Sequence, residues 1–98
     1  MEITTNIENS ILVITPYGSV DSATAEQLEA VTSGIDTEKI EGITFDFSNV
    51  DYISSKCLRV LVSVHKKMEG KTVRVTGVNA TVADIFDLSG LASIFGVK

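Results

Sequence analysis

Ile3, Thr5 and Ile7 alternate with polar neighbours, the period-two pattern of a strand with one face turned inward. Asn9-Ser10 reads as a turn, and Ile11-Leu12-Val13-Ile14-Thr15 follows as an unbroken, mostly β-branched run. That run predicts a strand buried on both faces, forming a hairpin with the first. Pro16 and Gly18 close it, because proline has no amide to donate to a ladder and glycine tolerates turn dihedrals. The spacing then becomes helical. Asp21 and Ser22 are both able to cap a helix start, and Ala25, Leu28, Val31 and Ile35 mark its inner face, with Gly34 near its end. Gly42 to Phe47 predicts a strand with Ile43, Phe45 and Phe47 on one side, and residues 48–53 are expected to form a loop. The most regular helix comes next: Leu58, Leu61, Val62, His65 and Met68 fall at i, i+3, i+4, i+7 and i+10, an amphipathic stripe ended by Gly70. Thr72 to Thr76 predicts a short strand. Asn79 or Thr81 caps a last helix carrying Val82, Ile85, Phe86 and Leu88, and Thr81 with Asp84 resembles a capping box. Ser89-Gly90 supplies a left-handed exit, and Leu91 to Phe95 is a candidate for one more short strand. The resulting order, β-β-α-β-α-β-α-(β), predicts an α/β fold with a mixed, mainly parallel sheet and covering helices.

Composition narrows the class without changing that picture. The chain of 98 residues is enough for one small domain spanning 1–98, and 44% hydrophobic with 21% charged residues is ordinary globular usage. Cys57 is the single cysteine, so no internal disulfide forms and a reducing compartment is expected. No run approaches the roughly 20 apolar residues that span a bilayer, and the N-terminus lacks the basic start and apolar run of a signal peptide. A soluble, cytoplasmic protein without membrane insertion is the expectation.

The net charge of −5 removes any counterion-release attraction to nucleic acid. Basic residues do gather at Lys56, Arg59, Lys66, Lys67, Lys71 and Arg74, but the helical spacing reads as a solvated outer face, and no aromatics interleave as single-strand binding requires. Catalytic chemistry is equally thin. His65, the one histidine, lies on an apolar stripe and is expected to be partly buried and satisfied rather than a base or ligand. No His/Cys spacing resembles a zinc site, and the glycines are scattered singly, without a phosphate-cradling loop. Asp46 and Asp51, five apart, can share a site that nothing else completes. Neither enzyme activity, nor a metal, nor a cofactor is expected; the chain reads as a binder of partner proteins.

The informative segment is Phe45 to Leu61, which runs strand, loop, helix start. One of Ser54 and Ser55 is the N-cap of the amphipathic helix. A helix N-terminus carries partial positive charge and free donors, so a phosphate on Ser55 would add about −1.5 to −2 charges without melting the helix. The fold would survive while its surface changed sign. Cys57 also sits where a helix N-terminus and Lys56 can lower a thiol pKa, which would suit a redox sensor, although no second cysteine exists to resolve it.

This strand–loop–serine segment, together with Gly18-Ser19-Val20-Asp21 and Phe86-Asp87-Leu88-Ser89-Gly90-Leu91, resembles three signatures of STAS domains, in order and over essentially the whole chain. The kind it looks most like is the stand-alone bacterial anti-sigma factor antagonist. The resemblance implies a small domain with a four- to five-stranded mixed sheet flanked by helices. It also implies a partner that is an anti-sigma factor with serine kinase activity, captured by the unmodified antagonist and released on phosphorylation. The family's stretch of aspartate, serine, a second hydroxyl residue, glycine and leucine falls on Ser54-Ser55-Lys56-Cys57-Leu58, so Ser55 matches the phosphoacceptor and Asp21 an acidic residue near the same surface. Ser54, Lys56 and Cys57 depart from the pattern. Lys56 is placed to pair with a phosphate on Ser55, and Cys57 introduces a side chain that can meet the docked partner. The implied docking surface is Asp21, Ser54, Ser55, Lys56, Cys57 and Arg59, on a monomer or weak dimer. An alternative, favoured by the departures, is a non-switching STAS adaptor that steadies an ATPase in lipid transport.

Overall fold

The computed structural model describes residues 2–97. Its main sheet has four strands in the order β1 (Ile3–Glu8), β2 (Ile11–Pro16), β4 (Gly42–Asp46) and β6 (Thr72–Thr76). The β1–β2 hairpin is antiparallel, and its two-residue turn places Asn9 and Ser10 at positive φ. β2, β4 and β6 run parallel. Between them lie α1 (Ser22–Ser33), a short 3-10 turn (Thr37–Lys39), α2 (Ser55–Lys67) and α3 (Ala80–Ser89), so the α/β fold with a mixed sheet flanked by helices is as the pattern predicts.

Two strands go beyond the pattern. Gly18–Val20 (β3) and Val50–Ile53 (β5) form a separate parallel pair in place of a turn and a loop. Both are too short to show a period in sequence, and each buries only its end residues or fewer. The candidate last strand is absent. Residues 91–95 form turns instead, and Val75 N–H donates to the Phe95 carbonyl at 3.0 Å, so the segment closes the outer edge of β6 without joining the ladder. β2 also departs from its expectation: Leu12 and Ile14 are buried while Ile11 and Val13 are half-buried, because the hairpin sits at the side of the sheet and only one face is fully covered.

The core joins Leu12, Ile14, Ile43, Phe45, Val73 and Val75 of the sheet to Ala25, Leu28, Leu61, Val64 and Met68 of the helices. Phe95 is fully buried and meets Phe86 edge-on at 6.2 Å. In α2 the buried face is Cys57, Val60, Leu61 and Val64, so Leu58, Val62 and His65 of the predicted stripe lie along its margin. Gly77 has φ +73 and sits so close to the next loop that a Cβ there would meet the Ser48 backbone nitrogen at 2.9 Å, which fixes glycine at that position. Asn79, not Thr81, caps α3, its Oδ1 accepting from Val82 N–H at 2.8 Å. Gly90 takes the left-handed exit at φ 75.

Candidate functional site

The β3–β5 pair positions the site. Val20 and Ile53 are register partners, and Ser54 N–H donates to the Val20 carbonyl at 2.9 Å. Each strand runs straight into a helix, so Asp21 and Ser54 stand side by side as the N-caps of α1 and α2. Asp21 Oδ1 accepts from Thr24 N–H at 2.9 Å and from the Thr24 hydroxyl at 3.0 Å, bonds that hold its carboxyl below the ordinary value of 3.8. Ser54 Oγ accepts from Cys57 N–H at 3.3 Å. Of the two serines, then, Ser54 is the cap and Ser55 is the first helical residue. Ser55 is exposed, and among the described residues no hydrogen bond engages its hydroxyl.

Lys56 Nζ lies 2.7 Å from Glu26 Oε1 of α1, so its charge is directed across the helix pair rather than toward Ser55. The Lys56 hydrogen bond and charge draw the Glu26 carboxyl below its ordinary value of 4.5. Arg59, one turn beyond Ser55, is exposed. Cys57 is the correction among the expected site residues. It is fully buried and burial pushes its thiol up to about 12, so it neither meets a docked protein nor supplies the low-pKa thiolate of a redox sensor. The reason is rotational: residue 57 faces the same way as Leu61 and Val64, into the core.

The basic cluster is also less uniform than a solvated face. Lys67 Nζ donates to the Thr32 and Ser33 carbonyls at the end of α1, and Lys71 Nζ to those of Thr37 and Ile40. Arg59, Lys66 and Arg74 remain pointed outward. His65 is half-buried against Phe95 at 5.9 Å, but its buried Nδ1 has no partner among the described residues, contrary to the expected satisfied ring. Asp46 is engaged locally: its Oδ1 accepts from Ser48 N–H and Oγ, closing the turn after β4. Sequence reasoning misses Tyr52, 49% exposed and paired in register with Ser19 beside the two caps. No periodic signal in so short a segment marks it. No helix among the described residues is long and apolar enough to cross a membrane.

The family model of the STAS domain matches residues 2–98. The chain belongs to the STAS domain family. It is 34% identical over 100 residues to BtrV of Bordetella bronchiseptica, a candidate anti-sigma factor antagonist, with 99% of this chain and 85% of that protein covered. Among solved structures, an anti-sigma factor antagonist from Mycobacterium paratuberculosis superposes with a TM-score of 0.88 at 21% identity, covering 98% of this chain and 83% of that one. The phosphorylated form of the Bacillus cell fate determinant SpoIIAA superposes at 0.75 with 18% identity, covering 99% and 89%.

Proposed function

We propose that this chain is an anti-sigma factor antagonist that works by partner switching. Unmodified, it captures an anti-sigma factor with serine kinase activity through the surface of Asp21, Ser54, Ser55, Lys56 and Arg59; phosphorylation of Ser55 releases it. The observation that carries the reading is the division of labour at positions 54 and 55. Ser54 supplies the cap that the helix needs, which leaves the exposed Ser55 hydroxyl free of any structural duty. In the transfer, Ser55 Oγ attacks the γ-phosphorus of ATP, its O–H proton passes to a base on the kinase, and the bond to ADP breaks, with ADP as the leaving group. The product places about two negative charges at the positive end of α2, beside the Asp21 carboxylate. Arg59, on the next turn, is the cation free to meet that phosphate, since Lys56 is held by Glu26. The name of BtrV supports an anti-sigma factor as the partner, and the similarly folded SpoIIAA is solved in a phosphorylated form.

Each departure that favours a non-switching adaptor serves the fold itself. Ser54 caps α2, Lys56 ties two helices and Cys57 fills the core, while Ser55 stays exposed. The test is to incubate the protein with its candidate kinase and ATP and to record intact mass. One phosphate is gained by the wild type and none by Ser55→Ala, and Ser55→Asp binds the kinase more weakly. An active cognate kinase that leaves the mass unchanged, or an undiminished affinity of Ser55→Asp, would count decisively against the switch.

A further inference from the structure

Leu88 is 89% exposed, the most exposed large apolar side chain among the described residues, and it lies on the last turn of α3. The same outward side of α3 carries Asp84 and Asp87, both exposed. α2 and the chain following α3 enclose an open hollow of about 330 Å³, lined by Leu58, Arg59, Val62, Ser63, Lys66 and Leu91. Its lining combines the apolar Leu58, Val62 and Leu91 with two cations, Arg59 and Lys66, and no carboxylate, within a chain of net charge −5. Leu91 connects the two features: it is three residues beyond Leu88 and is held by its N–H bond to the Phe86 carbonyl at 3.0 Å.

We propose that this face is the contact of a homodimer. Leu88 of each copy seats in the hollow of the other, with Asp84 and Asp87 set against Arg59 and Lys66. The charges select a second copy as the occupant. An acidic helix turn with a projecting leucine and an apolar hollow with a basic rim are complementary, and both are present on one molecule. Leu91 lines the hollow and follows Leu88 by three residues, so a two-fold axis set between projection and hollow satisfies both at once and closes the assembly at two copies. Arg59 and Lys66, seven residues and about 10 Å apart along α2, bracket the floor so that carboxylates on either side of an inserted leucine find a cation. The contact is built on a single helix turn, so it belongs with the small, weak interfaces that form and dissolve with concentration. It does not depend on phosphorylation of Ser55, although a copy seated there covers Arg59 and would exclude a partner docked on that residue.

Sedimentation equilibrium of the full chain, from about 10 µM to about 1 mM at low salt, reads the dimer directly. The wild type associates, more weakly as salt rises, and Leu88→Glu weakens the association by about tenfold or more while circular dichroism stays unchanged. Two charge-reversed variants complete the test: R59E/K66E and D84R/D87R each stay monomeric alone and form a dimer when mixed. A wild type that is monomeric throughout the range, a dimer indifferent to Leu88→Glu, or a mixture that stays monomeric would overturn the proposal.

Discussion

Lys56 Nζ sits 2.7 Å from Glu26 Oε1, tying the second residue of α2 to the second turn of α1 across thirty positions of sequence. The pair lies at the surface, with side-chain exposures of 30% for Lys56 and 67% for Glu26, so its stabilising effect is small and screened by salt. Its sign with pH is definite. Lys56 holds the Glu26 carboxyl below 4.5, so the contribution is full above that value and disappears as pH falls through the lower, folded-state value. A Glu26→Gln variant should therefore melt slightly below the wild type near about pH 7 and converge with it toward about pH 3. A gap that widens on acidification would contradict the pairing.

The neighbouring serines should separate cleanly. Ser54→Ala removes the N-cap of α2 and is expected to cost about 1 kcal/mol in urea unfolding. Ser55→Ala removes an exposed hydroxyl and should stay within about 0.5 kcal/mol of the wild type, while abolishing phosphate uptake. If the two costs were reversed, the assignment of cap and acceptor would be wrong.

Cys57 should be chemically silent. Native protein is expected to react with a thiol reagent orders of magnitude more slowly than unfolded protein, because its thiol is buried and its pKa stands near 12. Cys57→Ser places a hydroxyl in an apolar setting and should cost about 1–3 kcal/mol. Prompt stoichiometric labelling of the native chain would show that residue 57 faces out.

Gly77 and Gly90 offer a matched comparison, with φ of +73 and +75. A Cβ at Gly77 collides with Ser48 backbone at 2.9 Å, whereas one at Gly90 meets nothing within 4 Å. Both alanine variants bear a left-handed strain of about 1–3 kcal/mol, and Gly77→Ala should lose more, since the Ser48 loop must also move. Equal unfolding midpoints would mean that the two loops are not in contact.

The chain is legible where one signal repeats over enough residues to be counted. α2 spans several turns, so its period and its start at positions 54–55 stand out. Periodicity locates its face only loosely, however. Leu58, Val62 and His65 carry the apolar pattern yet border the core, while Cys57, which the family resemblance puts on the docking surface, lies at its centre. β3 and β5 escape a sequence reading because three and four residues cannot establish a period, and their pairing is long-range. The same distance hides the Lys56–Glu26 bond. It also hides the contacts of Lys67 and Lys71, whose ends reach carbonyls more than thirty residues away. Residues 91–95 mimic a strand in sequence because their apolar content serves a plug, Phe95, rather than a ladder.

That plug has a bearing on how the protein is made. Phe95 fills the interior against Phe86 and His65, and its carbonyl holds the β6 edge through Val75. While residue 95 is still inside the ribosomal exit tunnel, the emerging chain lacks one wall of its core and leaves a raw strand edge open to water. Until residue 95 clears the tunnel, then, the interior cannot be sealed, and synthesis passes through a stage in which the domain is open to water on that side.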